Sequence, residues 1–203
     1  MDIFLRGLVI GFSIAAPVGP IGMLCIQRTL AEGRLSGFLS GLGAATADAF
    51  YGTVAAFGLT FLEKFLIHQQ TWLRLIGGVF LIWLGIRTIL RKATRKTADI
   101  NRTNPFGAYF STVLLTLTNP MTIITFTAIF ASINLDTGGK YGSAGLLVLG
   151  VFLGSAAWWL SLSLGIGLLR NRSNDQIIVW INRLAGIIII AFGIYSIVSS
   201  RIP

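Results

Sequence analysis

Asp48 is the residue of this sequence best suited to chemistry in an apolar setting. It lies in SGLGAATADAFYG (residues 40–52), and it is the only acidic residue deep within any of the long apolar segments. A carboxylate at the centre of a membrane helix costs about 2.5–3.5 kcal/mol on insertion scales, and such residues mark substrate and ion pathways. Asp48 therefore fits two roles: binding a substrate cation or carrying a coupling proton. The structural alternative is a carboxyl group that is hydrogen-bonded to Thr46, Tyr51 or another segment.

Two prolines interrupt the first apolar segment within AAPVGPIGM (residues 15–23). Pro17 and Pro20 remove two amide donors, and an interior proline costs a helix about 3 kcal/mol or more. Gly19 and Gly22 permit unusual backbone angles and close approach. Carbonyl groups freed by the break can bind an ammonium group, and a half-helix that begins after Pro20 can bind a carboxylate. The alternative is a simple kink without a binding role.

A second break is predicted around Asn119 and Pro120, in TLTNPMTI (residues 116–123). Polar side chains around it recur at spacings of 4, 3 and 3, and so share one helix face: Thr112, Thr116, Asn119 and Thr122. Threonine hydroxyls often bond back to the preceding turn. Asn119 differs, because its proline neighbour disrupts the helix where an amide can bind a ligand or a free carbonyl. We expect Thr116, Asn119 and Pro120 to line a pathway.

Trp158 is a further candidate, since it and its neighbour Trp159 lie near the middle of the segment that contains GSAAWWLSLSLG (residues 154–165). Tryptophan at the end of a span usually anchors it at the membrane surface, whereas one at mid-depth favours packing or gating. The sequence contains one cysteine, Cys25, and one histidine, His68. We interpret them as a packed thiol and an external loop residue. With so few ligands, the sequence predicts no metal site, no cofactor and no disulfide.

Composition indicates the solvent in which these residues act. Hydrophobic residues make up 54% of the 203 residues and charged residues only 11%, against about 25% charged in a typical soluble domain. The mean hydropathy of +0.80 favours a bilayer. The net charge of +9 does not indicate nucleic-acid binding, because the basic run at residues 91–102 lies between apolar segments and contains no aromatic residues. That run is typical of a cytoplasmic loop that contacts anionic lipid.

Six apolar segments are long enough to cross a membrane, which takes about 20 apolar residues. They are residues 3–27, 37–62, 72–91, 106–133, 143–169 and 178–200. None shows the period-two alternation of barrel strands, so an all-α membrane protein is predicted. The first segment lacks an Ala-x-Ala cleavage site, and we expect it to be retained as a helix. Basic residues are enriched in the loops after the first, third and fifth segments, which predicts that these loops are cytoplasmic and both termini outside.

The two halves of the sequence resemble each other. WLRLIGGVFLIWLGI in the first half matches WINRLAGIIIIAFGI in the second at a constant offset, which pairs Trp72 with Trp180, Gly78 with Gly186 and Gly85 with Gly193. Because each half holds three segments, the second half must be inverted in the membrane. We therefore predict one transporter domain, 1–203, of two inverted three-helix repeats (about 1–91 and 104–203) with proline-broken helices one and four. A basic loop at about 91–104 joins the repeats, a recurring transporter plan.

These motifs resemble the lysine exporter (LysE-type) family, in its homoserine/threonine exporter group, along essentially the whole chain. The resemblance rests on APVGP (16–20), the stretch from Gln27 and Arg28 to Gly33, GLGAATADAFYG (41–52), GGVFLIWLGI (77–86), LTNP (117–120), Gly186 and Gly193. It implies six helices and export of amino acids from the bacterial cytoplasm, driven by the proton or membrane gradient, and it allows for homodimers. The positions that carry over are Pro17, Pro20, Asp48 and Pro120.

The resemblance also bears on the substrate. Some exporters of basic amino acids in this family use a further acidic residue in the second half of the chain. No acidic residue lies within the fourth or fifth segment of this sequence. The resemblance therefore implies a neutral amino acid or a derivative rather than lysine or arginine.

Together these features predict a secondary exporter in the bacterial inner membrane, and not an enzyme. A small zwitterion would enter from the cytoplasmic side and bind between the broken helices, where Asp48 would bind its ammonium group or exchange a proton. The first alternative is a related cation or metal-ion transporter, which needs several convergent ligands. The second, an intramembrane enzyme or electron carrier, needs a cysteine pair, clustered acids or an activated nucleophile, and the sequence shows none of these.

Overall fold

A computed structural model describes residues 2–17, 19–57, 68–90, 104–119, 122, 125–126, 141–170 and 175–200. Their regular secondary structure is α-helical, in elements that we number α1 (Ile3–Ala15), α2 (Pro20–Glu32), α3 (Arg34–Ala56), α4 (Gln70–Ile89), α5 (Pro105–Leu117), α6 (Tyr141–Arg170) and α7 (Asp175–Ser199). The prediction of an all-α protein is confirmed for these ranges. Pro120 and nearly all of the predicted basic loop at about 91–104 lie outside the described residues.

Three helices of the described part are long and apolar enough to cross a membrane on their own: Thr71–Ile89, Tyr141–Leu168 and Val179–Ser199. They correspond to the predicted spans at 72–91, 143–169 and 178–200. Helices α1 and α2 pass the same test together, as one bent span, whereas the apolar part of α5, Phe106–Leu117, is shorter. The chain is therefore a helical membrane protein with several apolar helices.

The first predicted span is two helices rather than one. Helix α1 ends at Ala15, and α2 begins at Pro20 after an extended Gly19 (φ −103°, ψ −162°). Proline fits the first position of a helix, because that residue has no intrahelical partner for an amide hydrogen. The two helix axes differ in direction by 79°, so the prolines produce a break and not a shallow kink. Helix α2 continues to Glu32, beyond the predicted end of the span at residue 27.

Gly33 reverses the chain between α2 and α3. Its φ of 110° is the one positive φ recorded among the described residues, and glycine adopts such an angle without the steric cost of a Cβ atom. The reversal lays α2 against α3, where Gly37 approaches the side chain of Thr29. The two helices are therefore antiparallel neighbours.

Glycine also sets the approach of α6 to α1 and α3. A Cβ atom on Gly7 or Gly11 would collide with the α6 carbonyl groups of Leu147 and Val151, respectively, so α1 and α6 run parallel in close contact. On α3, Gly41 lies against Trp159, and Gly52 lies further along the helix near Val151. Helix α6 is therefore antiparallel to α3. Small residues permit such close packing in lipid, where hydrophobic burial does not drive helices together.

Helices α4 and α7 form a separate antiparallel pair through glycine. A Cβ on Gly78 would lie 2.8 Å from the carbonyl oxygen of Gly193, and a Cβ on Gly85 would lie 2.8 Å from that of Gly186. These four glycines are those that the sequence offset relates, with the partners exchanged. An antiparallel pair of equivalent helices related by a local two-fold axis has this pattern of contacts.

Arg28 corrects the sequence-based description of the first loop. It follows the predicted first span (residues 3–27) and would belong to the basic loop after that span, yet it lies within α2 and is only 8% exposed. Its guanidinium donates from Nη1 to Ser40 Oγ (2.7 Å), to the Ala108 carbonyl (2.8 Å) and to Thr112 Oγ1 (3.0 Å), and from Nη2 to Ser111 Oγ (2.8 Å). These acceptors make burial of the charge tolerable. Arg28 thereby ties α2 to α3 and α5.

Candidate functional site: a cavity at the helix break

A cavity of about 250 Å³ lies where the break between α1 and α2 meets α3, α5, α6 and α7. Most of the predicted site residues line it together: Pro17, Gly19, Pro20, Asp48, Thr116 and Asn119. Further lining comes from Gly22 and Thr122, both noted in the sequence, and from Thr125, Trp159 and Phe192. Residues that are distant in sequence are thus brought to one place by the helix break.

Trp158 does not line this cavity, whereas its neighbour Trp159 does. Trp158 packs edge-on against Phe12 of α1, with ring centroids 5.2 Å apart. Trp159 is 4% exposed and lies over Gly41. The helical period explains the difference, because Ser155, Trp159 and Ser163 recur every four residues on one face of α6 and Trp158 lies about 100° away.

Asp48 is buried at 3% exposure and lines the cavity from α3. Its Oδ2 accepts a hydrogen bond from Ser155 Oγ at 2.7 Å, and Ser155 Oγ in turn accepts one from Trp159 Nε1 at 3.1 Å. The carboxyl group is thus held by another helix, rather than by Thr46 or Tyr51. One protein hydrogen bond leaves acceptor capacity for a solute, since an ionised carboxylate accepts at about four positions.

The residues around Asp48 are small because α3 packs against helices on two sides. Gly41 accommodates Trp159 of α6, and a Cβ on Gly43 would collide with the backbone of α5 at Tyr109. Ala44, one turn before Asp48, lines the cavity. The glycine and alanine pattern of the sequence therefore places the carboxylate at a three-helix contact, away from lipid.

The end of α5 and the residues that follow it supply further polar groups to the cavity. Thr116 Oγ1 donates to the Thr112 carbonyl at 2.8 Å, which is the back-bonding that threonine commonly makes in helices. Tyr51 Oη donates to the Leu117 carbonyl at 2.7 Å and so satisfies a backbone group at the end of the helix. Asn119 follows the end of the helix, and its backbone N–H donates to the Thr116 carbonyl at 3.2 Å. Asn119 is therefore presented to the cavity by a terminated helix.

Sequence reasoning missed several residues of this region. Ser155 was detectable, because it precedes Trp159 by four residues and so shares the face of α6 that meets α3. Phe192 gave no signal, because nothing local distinguishes it from other apolar residues of α7. Arg28 gave a misleading one, because a basic residue beside an apolar run is usually a flank of the span.

The cavity can hold a small polar solute with a positive group. Its charged lining residue is a carboxylate, while hydroxyl and amide groups come from α5 and aromatic rings from α6 and α7. Within the part of the chain that the structure describes, no group of three or more His, Cys, Asp or Glu residues could hold a metal ion. The chemistry offered is recognition by charge and hydrogen bonding.

Comparison with known proteins identifies the family of this chain. The family model described as "LysE type translocator" matches residues 12–200. This chain belongs to the LysE family. The match includes the helix break, Asp48 and both halves of the chain, and it confirms the resemblance inferred from the motifs. Members of the family are transporters, so this member is a membrane transport protein of an amino-acid efflux family and not an enzyme.

Several curated relatives of this LysE family member cover most of both chains. YcgF of Bacillus subtilis, named as a candidate amino acid efflux protein, is 31% identical over 96% of this chain and 95% of its own length. The threonine efflux protein of Salmonella typhi is 27% identical over 89% of this chain and 90% of its own. A leucine efflux protein of Salmonella choleraesuis is 29% identical over 59% of this chain and 57% of its own. No solved structure matches the chain significantly.

Proposed function

We propose that this LysE family member is a secondary exporter of a small neutral amino acid or derivative across the bacterial inner membrane, driven by the proton gradient or the membrane potential. The observation that carries the proposal is the position of Asp48 on a cavity at the break between α1 and α2. A buried carboxylate in a membrane helix is expensive. Its placement beside a cavity large enough for a small solute supports a role in binding that solute.

The cavity offers complementary groups for both ends of a zwitterion. Asp48 binds the ammonium group, assisted by the hydroxyl and amide groups of Thr116 and Asn119. The first amides of α2 have no intrahelical partners, and Ile21 and Gly22 at this helix end line the same cavity. A helix N-terminus favours negative charge, so it binds the carboxylate of the amino acid.

Cavity size and lining favour a small neutral side chain. The volume of about 250 Å³ lies below the range of about 300–1,000 Å³ that is usual for drug-sized ligands. Asp48 is the one acidic residue among the described lining residues, and it is occupied by the ammonium group. A second positive charge on the substrate would then lack a partner. The names of the threonine and leucine efflux relatives agree with a neutral substrate.

An inverted repeat of six spans, with both termini outside, completes the proposal. The exchanged glycine contacts of α4 and α7 and the parallel course of α1 and α6 support such a repeat. Rocking of one repeat against the other would expose the cavity to each side in turn. The exposed apolar faces of α4 and α7, which include Trp72, Val79 and Ile187, contact lipid. Assembly as a homodimer rests on the family resemblance alone.

Transport in reconstituted vesicles tests the role of Asp48. We expect wild-type protein to accelerate uptake of neutral amino acids such as threonine or leucine, with a rate that depends on an imposed proton gradient. Asp48→Asn should lower that rate by at least about 10-fold, because a hydrogen bond to a charged group contributes about 1.5–3 kcal/mol, and loss of the proton carrier lowers it further. Asp2→Asn, which removes an exposed carboxylate before α1, is the matched control and should transport normally. Equal transport by wild type and Asp48→Asn at every pH would contradict the proposal.

A further inference from the structure

Three buried side chains near α2 have polar atoms without partners. Gln27 Nε2, Ser163 Oγ and Asn182 Oδ1 find no hydrogen-bond partner in the described structure, and the residues are only 2%, 1% and 2% exposed. A buried polar group without a partner loses its hydrogen bonds to water and gains none in the protein, so such groups are few in native structures. Three of them on adjoining helices require an explanation.

These side chains lie on helices that pack together. Gln27 belongs to α2, which contacts both α6, the helix of Ser163, and α7, the helix of Asn182. Gln27 lies beside Arg28, whose hydrogen bonds are directed instead to α3 and α5. Arg28 thus has polar partners on α3 and α5, whereas these three buried polar atoms without partners belong to Gln27 of α2 and to one residue each of its neighbours α6 and α7.

The three side chains also lie in the same half of the bundle, between the cavity and the end marked by Gly33. Gln27 follows the cavity residue Pro20 by seven residues, about 10 Å along the helix. Ser163 follows the cavity residue Trp159 by one turn, toward the end of α6 where Gly167 meets Arg34.

The short connection between α6 and α7 places Asn182 in the same half of the bundle. Only four residues, 171–174, separate α6 from α7, so α7 starts at the end of the bundle where α6 finishes. Asn182 then lies between this end and the cavity residue Phe192. All three groups therefore lie at levels of the bundle between the cavity and the side on which the sequence predicts the cytoplasm.

We propose that the cytoplasmic entry route of the substrate runs along α2, α6 and α7, lined by Gln27, Ser163 and Asn182, and that the structure shows this route closed. The proposal rests on the proposed transport function and names the path to its site. In the open state the three side chains are hydrated or bind the passing solute, which satisfies the groups that are unpaired when α6 and α7 close on α2. The Arg28 contacts keep α2 attached to α3 and α5, so opening occurs on the opposite side of α2.

Cysteine accessibility tests the route, and the chain offers its own baseline. Wild type contains only Cys25, which is fully buried. Ser163→Cys and Asn182→Cys are treated with a small cationic methanethiosulfonate in inside-out vesicles. The matched control is Ser40→Cys, at a buried position of α3 that contacts Arg28. We expect the two route thiols to react at least about tenfold faster than the control, since reaction requires opening to water. Equal, slow reaction at all three positions would overturn the route.

A hydrophobic replacement separates passage from structural packing. Asn182→Leu removes an unpaired polar group, so the melting temperature should stay the same or rise, while transport falls by about tenfold because the open route loses a polar lining group. Thr88→Val, at a buried threonine of α4 that bonds its own helix, is the control and should leave transport unchanged. A transport rate of Asn182→Leu equal to that of wild type would show that Asn182 serves packing only and does not line the route.

The two failures are distinguishable. If no amino acid is transported but the route thiols react rapidly, the proposed substrate is wrong and the route stands. If amino acids are transported while the route thiols stay as protected as Ser40→Cys, transport stands and the route is wrong.

Discussion

Arg28 and Asp48 are both buried charged residues, yet the protein treats them differently. Arg28 donates at least four hydrogen bonds to groups on α3 and α5. Asp48 accepts one hydrogen bond, from Ser155, and otherwise borders the cavity. The hydrogen bonds of Arg28 hold three helices together, whereas Asp48 keeps acceptor positions that protein groups do not use. In an apolar protein, the function of a buried charge is therefore indicated by its unused hydrogen-bonding capacity more than by its burial.

The largest expected effect on stability is at Arg28. Arg28→Met should lower the free energy of unfolding by about 3–5 kcal/mol, because it leaves several buried acceptors without their donor. Thermal unfolding in detergent measures this. Arg183→Met, at an exposed position of α7, is the matched control and should change stability by less than about 0.5 kcal/mol. Asp48→Asn should also keep the protein folded. A greater loss of stability in Asp48→Asn than in Arg28→Met would contradict the view that Arg28, and not Asp48, holds the helices together.

A smaller effect is expected at Ser155, which orients Asp48. Ser155→Ala removes the donor to Asp48 Oδ2 and the acceptor of Trp159 Nε1, and should cost about 1–3 kcal/mol of stability. The apparent KM for transport should rise, because the carboxylate is no longer held toward the cavity. Ser163→Ala on the same helix is the stability control, since its hydroxyl has no partner to lose. Unchanged stability and KM in Ser155→Ala would show that the packing of α3 alone positions Asp48.

The smallest effect on stability is expected at Tyr51, which donates a hydrogen bond to the end of α5 beside the cavity. Tyr51→Phe removes the hydrogen bond to the Leu117 carbonyl and should lower the free energy of unfolding by about 0.5–1.5 kcal/mol. Tyr195→Phe, at an exposed position of α7, should have no measurable effect. A transport defect in Tyr51→Phe without a loss of stability would mean that the phenol acts on the substrate and not only on the helix end.

The sequence predicted the helix break and the acidic site because both depend on local chemistry. Proline limits its own helix wherever it stands, and a carboxylate in a long apolar run is conspicuous in any context. The convergence of Pro20, Asp48, Thr116 and Asn119 on one cavity follows from their similar depth in neighbouring helices. These features required no knowledge of the angle between α1 and α2.

Other features depended on partners that sequence does not specify. The acceptors of Arg28 come from three positions on α5 and one on α3, about 80 and 12 residues away in the chain. Until those helices are placed, an arginine at the end of an apolar run is indistinguishable from a membrane flank. Trp158 and Trp159 were both conspicuous in the sequence, but only the spacing of Trp159 to Ser155 and Ser163 indicates that Trp159 is the one that faces the cavity.

The glycine contacts between α4 and α7 have a consequence for how the sequence can change over time. Each glycine on one helix faces the carbonyl oxygen of a glycine on the other, so a side chain gained at any of the four positions would meet main chain as well as a neighbouring isoleucine side chain. No compensating exchange across the contact can create the missing room. The packing of α4 against α7 therefore constrains these four positions to glycine, whereas the exposed apolar positions of both helices, such as Val79 and Ile187, carry no such constraint.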